Sequence, residues 1–199
     1  MARQYDEKSL IADLKTLSDL GCVAFAAAAA TRQICSWERA ATGVRRKSRS
    51  HPREILDRIW DDLLKESIDL GEWQALLRRV EKLLIDADDI PSIGGAWADD
   101  AIASVGYAIR SGLGEKAQEA AWAARRATEA AYSAATRVLK PKIIRPEDIP
   151  TIVSHSFVQR ELGRQADDLQ SLRQGKIDEV RLRAFRDEIL TAEEVKRIG

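Results

Sequence analysis

Carboxylates are the one class of chemically capable side chain that this sequence holds in quantity, with 32 Asp and Glu residues against two histidines and two cysteines. Several carboxylate oxygens that converge on one point could hold a hard cation or support metal-assisted hydrolysis. Aspartate is also favoured in turns and near helix N-termini, so such a cluster is equally typical of a structural or surface role. We expect no metal there and take the cluster as a hypothetical partner-binding acidic surface. Its members are Asp86, Asp88 and Asp89 in a connector, and Asp99 and Asp100 at the start of the next helix.

The histidines and cysteines do not suggest a catalytic pair. His51 lies in a basic loop and His155 near a helix start, and a Cys-His or Ser-His-Asp constellation would have to recruit one of them by long-range folding. Cys22 and Cys35 are separated by 13 residues, which turns them about 220° apart on a helix, so they are predicted as buried thiols rather than a disulfide. No phosphate-binding, nucleophile-elbow or zinc-helix motif is present. We therefore predict no catalytic residue and no cofactor.

A basic loop at residues 45–53 could contact phosphates, because it holds five Lys and Arg residues. It lacks the interleaved aromatic side chains on which bases stack, and the chain around it is neutral overall. Nucleic acid is therefore an unlikely partner, and the loop is interpreted as a solvated connector.

Glu161 and Gln165 differ from the other polar residues because they lie on or beside the apolar seam of a late helix. They are one helical turn apart and can therefore face the same neighbour. Buried polar groups need hydrogen-bond partners. The sequence predicts a buried polar contact here, with an arginine of a neighbouring helix as the partner.

Charge is balanced in total and uneven along the chain. The 199 residues carry 32 Lys and Arg against 32 Asp and Glu. Residues 61–119 hold 13 acidic and six basic residues, whereas residues 32–58 hold eight basic and three acidic residues. A dipolar surface of this kind can orient the encounter with a charged partner.

The elements that must position these residues are helices. Apolar residues recur at three- and four-residue spacing almost throughout, and no alternation long enough for a strand is present. The fold class is therefore predicted as all-α, a bundle of about seven or eight helices. Helices are expected at about 6–17, 18–41, 97–111 and 115–139, with apolar stripes at 55–64, 73–84 and 158–172 and a helical tail at 182–195.

Two of these helices are rich in alanine, the second and the sixth. Alanine favours helix and gives a helix thin sides, so neighbouring helices can approach closely. We expect these two helices at the centre of a single domain that spans residues 1–199, with the C-terminal helices of residues 146–199 packed on the bundle.

No segment suggests export or membrane insertion. The N-terminus lacks an apolar stretch followed by a cleavage site. The apolar run at residues 22–30 is far shorter than the roughly 20 residues that a membrane-spanning helix needs. A cytoplasmic protein with no membrane partner is expected.

Five short motifs follow one another along the chain: an early Ala-Phe-Ala-Ala helix with Arg32, Ile55-Leu56-Asp57-Arg58-Ile59-Trp60 with Leu63, Ala87-Asp88-Asp89, Ala98-Asp99-Asp100-Ala101, and Val158-x-x-Glu161-Leu162-x-x-Gln165. Their order resembles the YjaG-like bacterial family (domain of unknown function 416). The likeness spans almost the whole chain and implies an all-α single domain with no established activity. The basic loop and the high alanine content depart from the family pattern.

Three functions remain open from the sequence. The first is a non-enzymatic protein-binding domain, such as an immunity protein that neutralises a bacterial toxin by occlusion, with a basic toxin domain as the partner. The second is a carboxylate- or metal-dependent hydrolase inside a helical bundle. The third is a nucleic-acid accessory protein that uses the loop at residues 45–53. The first is favoured because no catalytic constellation is present.

Overall fold

Nine α-helices make up nearly all of the part of the chain that the structure, a computed structural model, describes: residues 2–40, 52–85, 93–140, 143–191 and 193–194. Within those residues there is no β-strand, and the predicted all-α bundle is confirmed. The helices are α1 (Glu7–Leu14), α2 (Asp19–Ala40), α3 (Pro52–Leu64), α4 (Leu70–Ile85), α5 (Ile93–Leu113), α6 (Lys116–Leu139), α7 (Ile149–Val153), α8 (Ser156–Arg173) and α9 (Ile177–Arg186).

Short polar side chains begin several of the helices. The Asp6 carboxylate accepts from the Ser9 amide at 3.1 Å, and the Ser18 hydroxyl accepts from the Gly21 amide at 3.1 Å. Each cap satisfies an amide that has no partner inside its own helix. Ser18 therefore starts α2, as its sequence position predicts.

The two alanine-rich helices form the centre of the bundle. Every residue from 22 to 30 in α2 is at most 4% exposed, so this helix is enclosed on all sides. It packs against α3, α5, α6, α8 and α9, while α6 packs against α1, α2, α5, α7 and α8. Alanine on both helices permits this, because small side chains let several neighbours approach one axis.

Two fully buried tryptophans, Trp60 of α3 and Trp73 of α4, pack these two helices against the bundle. The Trp60 indole donates to the Thr31 hydroxyl at 2.9 Å, and the Trp73 indole donates to the Asp62 carboxylate at 2.9 Å. Gly112 of α5 lies directly under Trp73, because a Cβ at that position would stand 2.3 Å from a ring carbon. The missing side chain is what lets α4 and α5 meet.

The C-terminal segment returns to the core. Ile189 and Leu190 are buried, and the Leu190 amide donates to the Ser36 hydroxyl of α2 at 3.1 Å. Arg160 of α8 donates to both carboxylate oxygens of Glu194, at 3.0 and 2.7 Å. These contacts fix Leu190 against α2 and Glu194 against α8.

Three expectations about the elements differ from the structure. α1 ends at Leu14 rather than near Leu17, because the next residues form the turn that precedes the Ser18 cap. α5 begins at Ile93 and takes in two glycines that the sequence suggested as a connector. The helical tail expected from residue 182 begins earlier, as α9 at Ile177, and ends at Arg186; its buried residues are Val180 and Ala184, whereas Leu182 is 71% exposed.

No helix among the described residues combines the length and the apolar character that crossing a membrane requires.

Candidate functional site

Five charged and polar side chains meet between α2, α8 and α9. Arg32 donates from Nε and Nη2 to the two oxygens of Glu161, at 3.1 and 3.0 Å, and from Nη1 to Asp168 at 2.7 Å. Arg183 donates to the other Asp168 oxygen at 3.0 Å, and Gln165 donates to Glu161 at 2.9 Å. These five residues are called the buried charge cluster below.

The sequence places the cluster through helical spacing. Glu161, Gln165 and Asp168 are four and three residues apart, so all three project from one face of α8. Arg32 lies two residues after the alanine run of α2, and α8 packs against that helix. The remaining residues of the α8 seam are buried and apolar, namely Val158, Leu162, Leu169 and Leu172.

Burial makes the charges in the cluster depend on one another. Arg32, Glu161 and Asp168 are each 0% exposed, and with Arg183 the cluster contains two positive and two negative groups. Burial by itself lowers the pKa of Arg32, but Glu161 and Asp168 outweigh it and leave that pKa above its ordinary value. Burial raises the pKa of Asp168, against the opposing effect of Arg32 and Arg183. A buried charge that loses its partner costs free energy of folding. The pairing of Arg32 and Arg183 with the α8 carboxylates therefore favours one packing arrangement of α8 and α9 against α2.

Gln165 extends the cluster to the second alanine-rich helix. Its amide nitrogen lies 3.1 Å from the Ala124 carbonyl and 3.1 Å from the Thr128 hydroxyl, both on α6. The Thr128 hydroxyl donates in turn to the Ala124 carbonyl at 3.0 Å. Most polar atoms of the cluster are thus paired with one another inside the core, which is the arrangement of a fold-specifying contact.

The sequence pattern identified part of this cluster. Glu161 and Gln165 are buried as expected, and Arg32 is the arginine on a neighbouring helix. Asp168 was missed, although its position seven residues after Glu161 places it on the same seam. Arg183 carries no such signal, because α9 is short and rich in charged residues throughout.

The predicted acidic surface is only partly within the described residues. Asp86, Asp88 and Asp89 lie outside them, and their role in binding stays a prediction. Asp99 and Asp100 are half-buried and lie in the second turn of α5 rather than at its start, since the helix begins earlier than expected. A stabilising role at the helix N-terminus is therefore not open to them, because that effect fades within the first turn.

Asp100 already has a cationic partner. It accepts a hydrogen bond from Arg126 Nη1 at 3.1 Å, which ties α5 to α6. Burial raises the pKa of Asp100, and Arg126 opposes that rise. Within the described residues, no group of three His, Cys, Asp or Glu side chains is placed to hold a metal ion.

A surface cavity of about 350 Å³ lies beside this ion pair. Arg125 donates to Glu129 at 2.9 Å, and Arg126 donates to the same carboxylate at 3.3 Å. Both guanidinium groups on the cavity wall are therefore paired with carboxylates, since Arg126 also contacts Asp100 and Arg125 also approaches Glu7 at 3.6 Å. The aromatic part of the wall is Tyr107 and Trp122, whose ring centroids are 5.7 Å apart.

The histidine, cysteine and basic-loop residues that the sequence offered as candidates take part in contacts within the fold where the structure describes them. His155 is the N-cap of α8, and its Nδ1 accepts from the Phe157 amide at 3.3 Å. Cys22 and Cys35 are free and buried, and burial raises the pKa of Cys22 to about 11. In the basic loop, residues 45–51 lie outside the described part of the chain, while Arg53 donates to Glu38 from Nε at 2.9 Å.

An exposed apolar surface follows the end of α6, and the sequence analysis did not single it out. Large aliphatic side chains there face solvent on the last turn of α6, in the segment after it and at the start of α7, which packs back on α6. We call this set the apolar patch. Its members are Val138 (41% exposed), Leu139 (41%), Ile143 (70%), Ile144 (50%) and Ile149 (45%).

Local backbone contacts hold both sides of the apolar patch. α6 ends at Leu139, and its C-cap Lys140 has a left-handed φ of 48° and an amide that donates to the Thr136 carbonyl at 2.9 Å. On the other side, the Arg145 amide donates to the Asp148 carboxylate at 2.9 Å. The described members of the patch thus lie on a helix end and a capped turn. The sequence signal was the pair Ile143-Ile144 between prolines, which is too short to carry a helical period.

Comparison with known proteins supports the fold and the family. A crystal structure of a DUF416 family protein from Shewanella baltica OS155 superimposes with a TM-score of 0.73 and 14% sequence identity, over 88% of this chain and 93% of that one. At that identity the likeness shows the fold alone. No curated protein matches the chain. A family model described as "Protein of unknown function (DUF416)" matches residues 10–199, and the chain therefore belongs to the DUF416 family.

Proposed function

We propose that this protein is a non-enzymatic binding protein of the cytoplasm that covers part of the surface of a partner protein through the apolar patch. The observation that carries the proposal is the patch itself. Large aliphatic side chains that lie close together on a surface are typical of protein interaction sites. Ile143, at 70% exposure, would be the residue with most surface to gain from being covered.

The interior supports a role without catalysis. Arg32, Glu161 and Asp168 have the side chains needed for acid–base or electrostatic chemistry, but each is 0% exposed, and Arg32 donates hydrogen bonds to both carboxylates. A substrate could reach them only if α2 and α8 separated. These three side chains therefore stabilise the packing of the helices, and we take the protein surface as the part that recognises a partner.

An immunity role is the specific form of this proposal that the sequence suggested. In that role the covered surface is the active site of a bacterial toxin. It requires that a purified partner lose its toxic activity when this protein is added. A partner that stays active in the complex would exclude that role and leave the binding function in place.

Capture of a partner from the native host tests the proposal. Tagged wild-type protein is compared with an Ile143→Ser/Ile144→Ser variant and with Leu182→Ser, a matched control that removes an equally exposed aliphatic residue from α9. We expect the wild type and the control to retain the same partner, and the patch variant to lose it while keeping the wild-type melting temperature. Burial of aliphatic side chains is the driving force that the patch variant removes.

A variant of the acidic connector tests the alternative interface, the one predicted from the sequence. An Asp88→Lys/Asp89→Lys variant should still capture the partner if the apolar patch is the interface. If that variant loses the partner and the Ile143→Ser/Ile144→Ser variant keeps it, the interface lies at the acidic connector and the proposal is wrong.

A further inference from the structure

A surface cavity of about 260 Å³ lies between the N-terminal segment, α1 and α8. Its aliphatic wall is formed by Leu10 of α1 together with Leu162, Ala166 and Leu169 of α8. The cavity shares no residue with the apolar patch. Its volume is below the roughly 300–1,000 Å³ of sites that take drug-sized ligands, so it can hold only a small molecule.

The N-terminal wall of this cavity is fixed by hydrogen bonds. The Arg3 amide donates to Gln159 Oε1 of α8 at 2.8 Å, and Gln159 Nε2 donates back to the Arg3 carbonyl at 2.8 Å. The Tyr5 hydroxyl, on the same wall, donates to the Ala121 carbonyl of α6 at 2.7 Å. The cavity is therefore formed by the fold itself, as most small-molecule sites are.

Gln165 brings a polar atom of the buried charge cluster to the cavity. It is 4% exposed and lines the cavity. Its amide nitrogen faces only acceptors, namely the Glu161 carboxylate, the Ala124 carbonyl and the Thr128 hydroxyl, whose own hydrogen is donated to Ala124. These acceptors settle which end of the amide is the nitrogen.

The oxygen of the same amide is left over. Gln165 Oε1 accepts no hydrogen bond from any described residue, yet it is not among the unpaired polar atoms that solvent cannot reach. Because Gln165 lines the cavity, Oε1 is the polar atom that it presents there. An acceptor in such an enclosed place gains from a donor, since an unmet hydrogen bond in a buried place costs free energy.

The charges around the cavity favour a neutral ligand. The buried charge cluster beside Gln165 is balanced by two arginines against two carboxylates, so a charged ligand group there would be a buried charge without a partner. Of the charged residues that line the cavity, Asp13 pairs with Arg173 at 2.7 Å, and Arg3 and Asp6 are of opposite sign. Neither sign of ligand charge is therefore selected.

We infer that this cavity binds a small neutral molecule with an aliphatic body and one O–H or N–H donor, the chemistry of an aliphatic alcohol or primary amide. The donor would bond to Gln165 Oε1, and the aliphatic body would cover Leu10, Leu162 and Leu169. This site is independent of the proposed function, because the apolar patch is formed by other residues.

A pair of ligands that differ in the donor alone tests the inference. The full-length wild-type protein is titrated with 2-hexanol and with 2-hexanone, and ligand-observed NMR measures the two dissociation constants. We expect 2-hexanol to bind about tenfold more tightly, because the ketone oxygen can only accept and leaves Gln165 Oε1 unpaired. Hexanoate and hexylammonium, titrated in the same way, should bind more weakly than 2-hexanol.

Two substitutions on α8 locate the site. Ala166→Phe places a ring in the cavity and should abolish the binding of 2-hexanol, whereas Gln170→Phe, which adds the same ring at an exposed position of α8, should leave it unchanged. Gln165→Met removes the acceptor and should bring 2-hexanol and 2-hexanone to the same affinity. The comparison of alcohol and ketone on the wild type decides the inference even if a variant fails to fold.

The contrary results are distinct. Equal affinities of the wild type for 2-hexanol and 2-hexanone would overturn the role of Gln165 Oε1 and the inference with it. Tighter binding of hexanoate, drawn by Arg3, or of hexylammonium, drawn by Asp6, would overturn the neutral class of ligand. Absence of binding by all four probes, or binding that a folded Ala166→Phe variant keeps, would overturn the site. Partner capture by the apolar patch would be unaffected in each case, so this failure is separate from that of the proposed function.

Discussion

Replacing Arg32 by methionine is expected to lower the free energy of unfolding by about 3–5 kcal/mol, the loss that follows when one partner of a buried ion pair is removed. Methionine fills much of the same space but cannot donate the three hydrogen bonds that Arg32 makes to Glu161 and Asp168. Both carboxylates would remain in the core, with Arg183, hydrogen-bonded to Asp168, as the remaining cation of the cluster. Chemical denaturation at neutral pH measures the loss.

The pH dependence of this variant distinguishes charge from packing. Arg32 now lowers the pKa of Asp168 against the effect of burial, so its removal raises that pKa further. A carboxyl group whose pKa is higher in the folded state than in the unfolded state binds more protons when folded, and stability then falls as the pH rises through that interval. The deficit of Arg32→Met against the wild type should therefore be largest at neutral pH and shrink as the pH is lowered towards 5.

A second substitution supplies the control. Arg32→Met/Glu161→Met removes one charge of each sign and leaves Asp168 paired with Arg183 at 3.0 Å. We expect this double variant to recover much of the stability that Arg32→Met loses, because replacing both members of a buried ion pair by apolar residues is often neutral. A double variant that is less stable than Arg32→Met at neutral pH would show that the cluster is not held together by charge balance.

Replacing Ala27 by leucine is expected to destabilise the protein by about 1–3 kcal/mol or more, through overpacking of the core. Ala27 is 0% exposed and lies near the middle of α2, where helices approach from all sides. The added carbons have no space to enter, so neighbouring helices must shift. Ala12→Leu on the exposed face of α1 is the matched control, and it should leave the melting temperature nearly unchanged. An Ala27→Leu variant that melts with the wild type would contradict the central position of α2.

The periodicity of the sequence was sufficient for the fold class because each helix has one apolar face or, in α2, apolar sides all round. The uninterrupted alanine run identified α2 as central, and the structure encloses residues 22–30 on every side. The start of α5 could not be predicted in the same way. Gly94 and Gly95 are weak helix formers, and their helical conformation in the structure goes against local propensity.

Only two of the three members of the buried charge cluster that lie on α8, Glu161 and Gln165, were predicted from the sequence. The spacing of Glu161 and Gln165 required a donor, but their partner Arg32 is 129 residues away from Glu161 in the sequence, and only the fold brings the two together. The apolar patch was missed for a different reason. Ile143 and Ile144 are exposed because other helices do not cover them, and such tertiary packing cannot be inferred from the sequence alone.

Amide hydrogen exchange on the complex with the captured partner tests the binding surface most directly. The account predicts slower exchange at residues 143–149 and at the last turn of α6 when the partner is bound, since a covered patch is shielded from solvent and stabilised locally. Residues of α9 around Leu182 should exchange at the same rate with and without the partner. Unchanged exchange at residues 143–149, with protection at residues 86–100 instead, would contradict the account.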